Sequence, residues 1–228
     1  TTVLASGKTV TVDLMGDGLI NYAISGKVLD QVMGVDGKPL SSAVSNTGTI
    51  QADGGHIILQ AKASGDIFSS VVNQSGVIRA RSLVNQEGVV LLDGGDSGLV
   101  QVAGDLDASG LSIEQKGGQV SVLGRSVELR DTTNINVSGN VGGGRVLVGG
   151  NYQGQGPEPN AISTLVAAGA SINADAISQG DGGTVIVWAD GHTGYGGSIS
   201  AKGGQSGGNG GFVEVSGKNT LGFSGRVD

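Results

Sequence analysis

The chain has 228 residues, 45 of them glycine, and a net charge of −7 at pH 7 without cysteine. The absence of a basic block argues against a nucleic-acid partner, and no apolar run approaches the ~18 residues of a membrane span, so we expect no membrane insertion. Without cysteine there are no disulfides, thiolate metal sites or cysteine nucleophile. Aromatic residues make up only 3%, so the core must consist of Val, Ile, Leu and Ala.

The first 45 residues do not carry the repeat that dominates the rest of the chain. Val10, Val12 and Leu14 alternate with polar residues, which is typical of a half-buried strand. Residues 15–18 (Met-Gly-Asp-Gly) predict a turn into a second apolar run at 19–24. We therefore expect an irregular N-terminal hairpin or coil over residues 1–45, leading into repeats over residues 46–228.

The repeat consists of two phrases that keep step with each other. The first is a pair of glycines (Glu-Gly in one copy) followed by an alternating apolar run, and its second glycine falls at 55, 88, 118, 144, 183 and 211. The second is an apolar residue followed two places later by a small apolar one. Both recur at about 28 residues, and a period of ~20–50 residues is the signature of a solenoid or a repeat array.

Stacking the copies turns the repeat into columns of side chains. Side chains alternate across a strand, so the apolar places of each phrase point inward. Three such columns are apolar in every copy. The principal ladder is Ile57, Val90, Val120, Val146, Val185 and Val213. The second column is Leu59, Leu92, Val122, Val148, Val187 and Val215, and the third is Ala52, Ala80, Ala108, Val137, Ala174 and Ala201. A weaker third strand is indicated at 67–68, 99–102, 127–129, 165–166 and 221–223. The sequence predicts an all-β fold, a right-handed parallel β-helix of about six coils.

Two features lie on the outside of this predicted solenoid. The outward neighbours of the alanine column would place Arg79 opposite Asp107 and Asn136 on Asn173, because parallel strands lie ~4.8 Å apart. The coil after residue 135 is longer than the others, with a polar loop near 151–160 that contains two prolines. Proline cannot occupy a central strand, so this loop should project from one face.

Three stretches carry a resemblance to a known family: residues 3–24, 182–191 and 207–218. They resemble the two-partner-secretion exoproteins of Gram-negative bacteria, in particular the filamentous-haemagglutinin-like adhesins. The resemblance implies a right-handed β-helix in a secreted or cell-surface protein, with roles in adhesion, aggregation or biofilm matrix. It also implies export of the full-length protein by an outer-membrane transporter of the Omp85 type.

One motif of that family is missing from this chain. The N-terminal secretion domain of the family carries Asn-Pro-Asn-Gly, and the dipeptide Asn-Pro does not occur in the chain. We therefore expect a fragment downstream of the secretion domain and do not assign transporter recognition to these residues.

Aromatic residues supply the candidate binding site. Trp188 is predicted to point outward, with His192 and Tyr195 in the next corner and Tyr152 one coil back. Exposed rings could stack on the sugars of a host-cell or matrix glycan, and a surface protein is another possible partner. The alternative is that Trp188 covers a corner or an outer apolar stripe, because aromatic area usually goes into packing. That stripe is Ile58, Leu91, Ser121, Leu147, Ile186 and Glu214, which could form an interface or reflect strand propensity alone.

Evidence for an enzyme is weak in the sequence. Asp105 and Asp107 alternate outward and could suggest the paired carboxylates of a glycosidase, but an ion pair with Arg79 explains Asp107 better. The run at 93–98 is one imperfect copy of a calcium repeat that needs tandem copies. We predict no catalytic residue, metal or cofactor. The leading hypothesis is a non-enzymatic rod segment of a large adhesin; a carbohydrate-binding face is the alternative, and a polysaccharide lyase or hydrolase the second alternative.

Overall fold

The computed structural model describes residues 1–14, 20–64 and 67–228, and their regular secondary structure consists almost entirely of short strands. The predicted turn at 15–18 lies outside the described residues. In chain order the strands are β1 (Thr2–Ser6), β2 (Thr9–Leu14), β3 (Ile20–Ser25), β4 (Ser42–Asn46), β5 (Thr49–Gln51), β6 (His56–Ala61), β7 (Ser70–Gln74), β8 (Val77–Arg79), β9 (Val89–Asp93), β10 (Leu99–Val102), β11 (Asp105–Asp107), β12 (Gln119–Leu123), β13 (Ser126–Leu129), β14 (Asn134–Asn136), β15 (Arg145–Val148), β16 (Ser163–Val166), β17 (Ser171–Asn173), β18 (Thr184–Ala189), β19 (His192–Tyr195), β20 (Ser198–Ser200), β21 (Phe212–Gly217), β22 (Thr220–Phe223) and β23 (Arg226–Val227).

These strands form three parallel sheets of seven strands each. The first sheet has the order β1-β6-β9-β12-β15-β18-β21, the second β4-β7-β10-β13-β16-β19-β22, and the third β5-β8-β11-β14-β17-β20-β23. Neighbours in a sheet come from successive turns of the chain, so the predicted parallel β-helix is confirmed. The right-handed sense is the one that parallel crossovers favour. Among the described residues no helix is long and apolar enough to cross a membrane.

The interior columns lie in register as the sequence predicts. In the first sheet Ile57 pairs with Val90, and the ladder continues through Val120, Val146 and Val185 to Val213. The first five of these side chains are completely buried, and Val213 in the last coil is partly buried against the same core. A continuous aliphatic column therefore lines the first sheet from β6 to β21.

The glycine phrase is explained by the close approach of successive coils. The carbonyl of Gly144 accepts a hydrogen bond from the Thr184 N–H at 2.9 Å. A β-carbon on Gly183 would overlap that same carbonyl oxygen, and Gly118, Gly144 and Gly211 stand in the same relation to the second glycine of the coil before. Only a residue without a side chain lets the backbones approach this closely. The repeated glycine is thus a steric requirement of the corner that precedes the first sheet.

Stacking begins earlier than the repeat phrases indicate. β1 pairs in parallel with β6, and β4 pairs with β7, although β1 lies within residues 1–45 and β4 begins there. Each sheet contains seven strands, one more than the expected number of coils. The inward positions of β1 include Thr2 and Ser6, which register with Ile57 and Ala61, so the apolar pattern is too weak to show the strand. The expected N-terminal hairpin is present as the antiparallel pair β2–β3. The division of the chain into an N-terminal segment at 1–45 that leads into repeats at 46–228 stays a prediction.

The second sheet differs in detail from the prediction. Its strand in the second coil is β7, whereas the sequence placed it at 67–68, and β19 lies where a corner was expected. Its inward positions also include buried threonines. The hydroxyl of Thr164 donates to the Trp188 carbonyl at 2.8 Å, and that of Thr193 to the Ser216 carbonyl at 2.7 Å. Each threonine thereby satisfies its own buried hydroxyl and ties one coil to the next.

Candidate functional site

The inserted loop occupies residues 149–162, between β15 and β16, and lies on the outside of the first sheet. It contains a single 3-10 turn over Tyr152–Gly154, whose first N–H is capped by the Asn151 carboxamide at 2.7 Å. Arg145 donates to the same Asn151 oxygen at 2.7 Å. The Gln153 N–H donates to the Glu214 carboxylate at 3.1 Å, two coils further along. The loop is therefore hydrogen-bonded to side chains of β15 and β21, the two strands that flank β18.

The side chain of Trp188 lies beneath this loop. It points outward from β18, as predicted, but it is only 8% exposed and packs with Leu147 and Ile186. Gly150 and Gly154 of the loop lie directly against the indole ring, and its Nε1 donates to the Asp190 carboxylate at 3.1 Å. The structure thus has the packed arrangement given above as the alternative to an exposed ring: the loop covers the outer apolar stripe, and Trp188 packs within it.

Of the other three predicted residues, only Tyr152 lies on the same face as Trp188, in the loop that covers it. Tyr195 points into the core, is 2% exposed, and stacks on Phe223 with ring centroids 5.6 Å apart. This burial raises the pKa of the Tyr195 hydroxyl. His192 faces outward and lies 2.8 Å from the Thr220 hydroxyl. Tyr152, on the loop, is the exposed ring of the set and meets Phe212 edge-on at 5.5 Å. The expected sugar-stacking face is not formed by these four side chains.

Asp107, one of the two carboxylates considered for catalysis, belongs to an ion-pair cluster with two arginines. Asp107 lies 2.8 Å from the Arg81 Nε and 3.6 Å from the Arg79 Nε, so the predicted Arg79–Asp107 contact is present but is the longer of the two. Burial acts to raise the pKa of Asp107, but hydrogen bonds from Ser109 and the charge of Arg81 outweigh it and lower the pKa. A general acid of a glycosidase needs a raised pKa, so the arrangement favours a structural role. The predicted stacking of Asn136 on Asn173 is also present.

A cation site is not assembled within the described parts of the chain. No three His, Cys, Asp or Glu side chains lie together there. In the run at 93–98, the Asp96 carboxylate is held by the Lys27 ammonium at 2.7 Å, which lowers the pKa of Asp96. The Asp93 carboxylate accepts the Gly95 N–H at 2.8 Å. Both carboxylates therefore hold loops in place.

Removing the indole should loosen the loop while the solenoid stays folded. We expect Trp188→Ala to cost about 3 kcal/mol or more, because a large buried ring leaves a cavity. Urea denaturation and limited proteolysis should show a lower midpoint and faster cleavage within 149–162. Tyr152→Ala is the matched control, since that ring is 45% exposed and should cost under about 1 kcal/mol. Equal effects of the two substitutions would contradict the covering role of the loop.

Comparison with known proteins finds a solved structure with a similar fold. No family model matches the sequence, and no curated protein matches it. The structure is similar to the crystal structure of the HMW1 secretion domain from Haemophilus influenzae, with a TM-score of 0.66 and 23% sequence identity. The match covers 99% of this chain and 57% of that one, so the chain spans little more than half of the structure it matches. The two proteins share the parallel β-helix fold over the whole of the present chain.

Proposed function

We propose that the chain is a rigid β-helical segment of a large exoprotein that is exported across the outer membrane and works at the bacterial cell surface. The observation that carries this proposal is the match of the three-sheet solenoid, over 99% of its length, to a secretion domain. The resemblance of residues 182–191 and 207–218 to two-partner-secretion adhesins supports the same class of protein. Adhesion, aggregation or biofilm formation, in contact with a host glycan or surface protein, is the role we propose for the parent molecule.

The physical basis of this role is stiffness. Seven strands in each sheet, ~4.8 Å apart, give a rise of roughly 29 Å along the axis. Backbone hydrogen bonds run along that axis in three sheets, and bending would have to break them together on one side. Such a segment keeps its length under load and can hold neighbouring domains away from the cell. The rod needs no bound cofactor for this task.

Export is proposed for the parent protein without naming the residues that contact the transporter. The missing Asn-Pro-Asn-Gly motif suggested a position downstream of the secretion domain, whereas the fold similarity is to a secretion domain itself. A shared β-helix is compatible with either position, because the same coil can be repeated along one rod. An Omp85-type outer-membrane transporter is the partner that the sequence resemblance implies.

The location of the protein tests this proposal. Antibodies raised against the chain should label intact cells of the source bacterium, and the signal should disappear after brief treatment of intact cells with protease. Deleting the gene of the partner transporter should abolish surface labelling and leave the protein inside the cell. A strain lacking the parent gene is the control. Label confined to the cytoplasm of unmodified cells, or surface label unaffected by loss of the transporter, would contradict the proposal.

A further inference from the structure

The outer face of the third sheet contains a trough that follows the solenoid axis. One cavity of about 100 Å³ lies over β8, β11 and β14, and a second of about 430 Å³ lies over β14, β17, β20 and β23. Asn134 lines both, so the two cavities adjoin at β14. Six strands at ~4.8 Å spacing give the trough a length of roughly 24 Å.

The floor of this trough is polar in every coil. Its outward side chains are Val77, Arg79, Asp105, Asp107, Asn134, Asn136, Ser171, Asn173, Ser198, Ser200, Arg226 and Asp228, with a single apolar residue among them. The central ones are short, which explains why the surface is depressed there. An ordinary sheet face with long side chains would fill this space.

Several hydrogen-bond donors on the floor are left for a ligand or water. The side-chain Oδ1 of Asn136 accepts from the Ser138 N–H at 3.0 Å, and the side-chain Oδ1 of Asn173 accepts from the Asp175 N–H at 2.9 Å. Each carboxamide oxygen is thus turned to the corner, and its NH2 group remains available. The Arg79 Nε is not one of these donors, because it is buried and lies 3.6 Å from the Asp107 carboxylate. The two amide donors lie on neighbouring strands, β14 and β17, and register with each other.

The spacing and charge of the floor select one class of ligand. An extended peptide repeats at ~3.3 Å per residue, out of step with coils ~4.8 Å apart, whereas one β-linked pyranose unit is nearly as long as one coil rise. Single-stranded nucleic acid would need cationic and aromatic side chains. Two arginines, Arg79 and Arg226, face three carboxylates, those of Asp105, Asp107 and Asp228. Charges of both signs are mixed along the floor, so neither a polyanion nor a polycation is favoured. The hydroxyl groups of a neutral sugar both donate and accept hydrogen bonds, and the amides, hydroxyls and charged groups of the floor offer partners for both.

We propose that this trough, lined by Asn134, Asn136, Asn173 and Ser198, binds a linear neutral polysaccharide whose chain runs parallel to the solenoid axis. The site differs from the aromatic corner at Trp188 in position and in chemistry, because it recognises sugars by hydrogen bonding without stacking. It is also independent of the export of the parent protein: export can fail while sugar binding holds, and the reverse.

Binding of defined oligosaccharides tests the proposal. Isothermal titration with cellohexaose, mannohexaose and xylohexaose, and with the matching disaccharides, should show at least one hexasaccharide that binds about tenfold tighter than its disaccharide, a difference of about 1.4 kcal/mol. Ser198→Tyr places a bulky ring in the trough and should weaken that binding at least tenfold. Ser121→Tyr, at an outward position of the first sheet, is the matched control and should leave it unchanged.

The outcomes separate the proposal from its competitors. Asn134→Tyr is a second block at the junction of the two cavities, and circular dichroism of each variant establishes that it is folded. Loss of binding in a folded Ser198→Tyr or Asn134→Tyr variant supports the trough. The proposal is overturned if none of the three hexasaccharides binds, if both blocking variants bind as the unmodified protein does, or if polygalacturonate binds and the neutral chains do not.

Discussion

Replacing Gly183 with alanine should prevent the coil that contains β18 from closing onto the coil below. The added β-carbon would overlap the Gly144 carbonyl oxygen, which is the acceptor for the Thr184 N–H at 2.9 Å. Backbone cannot move aside as a flexible side chain can, so relief requires the two coils to separate and lose neighbouring ladder bonds. We expect a loss of about 3 kcal/mol or more in the free energy of unfolding.

Gly210 provides a matched control one coil further along. A β-carbon there would find its nearest neighbour, the Ala201 carbonyl oxygen, at 3.9 Å, which is ordinary contact. Gly210→Ala should therefore change stability by under about 1 kcal/mol and could raise it slightly by restricting the unfolded chain. Urea denaturation followed by circular dichroism measures both variants. A Gly183→Ala protein as stable as Gly210→Ala would refute the steric explanation of the glycine phrase.

Val185→Asp should be the most damaging single change to the interior ladder. Val185 is completely buried and lies between Val146 and Val213 in register. A carboxylate at this position has aliphatic neighbours on both sides and no cation to pair with. The cost of burying an unpaired charge is several kcal/mol, against a total stability of about 5–15 kcal/mol for a typical domain. We expect the purified variant to be largely unfolded or to lose its C-terminal coils.

The adjacent residue tests whether position or charge is responsible. Thr184 points outward from the same strand, is half-buried, and registers with Arg145. Thr184→Asp introduces the same charge on the solvent side, near a cation, and should cost at most about 1 kcal/mol. Near-ultraviolet circular dichroism and thermal melts distinguish the two variants. Two equally stable proteins would mean that the Val185 ladder does not line a dry interior.

The sequence could predict the solenoid because its two periodicities are independent and agree. Alternation within a strand says which side chains point inward, and the glycine spacing says which strands stack. Together they place Ile57 under Val90 without any structural information. The sequence does not predict β1, because Thr2 and Ser6 occupy inward positions in an end coil, where fewer apolar side chains are needed. The sequence does not predict β19, the strand that ends at Tyr195, because Gly194 is typical of a corner between strands.

The candidate site was harder to predict for a physical reason. Alternation shows the direction of a side chain but does not show what covers it. Trp188 points outward as predicted, yet the loop around Gly154 lies over it. The signal that could have shown this is the outward pair Leu147 and Ile186 beside the tryptophan, directly next to the longest corner. The polar trough was missed because no single coil reveals it; it exists only as a column of short side chains.

The unequal length of the corners has a consequence for how such rods diversify. Successive second glycines are 26 residues apart from 118 to 144 and 39 apart from 144 to 183, yet β12, β15 and β18 remain in register. Parallel pairing thus fixes the order of the turns and leaves the number of residues between them free. Segments such as 155–159 can be exchanged or lengthened between related proteins without altering the diameter or pitch of the shaft, so specificity can evolve separately from mechanical strength.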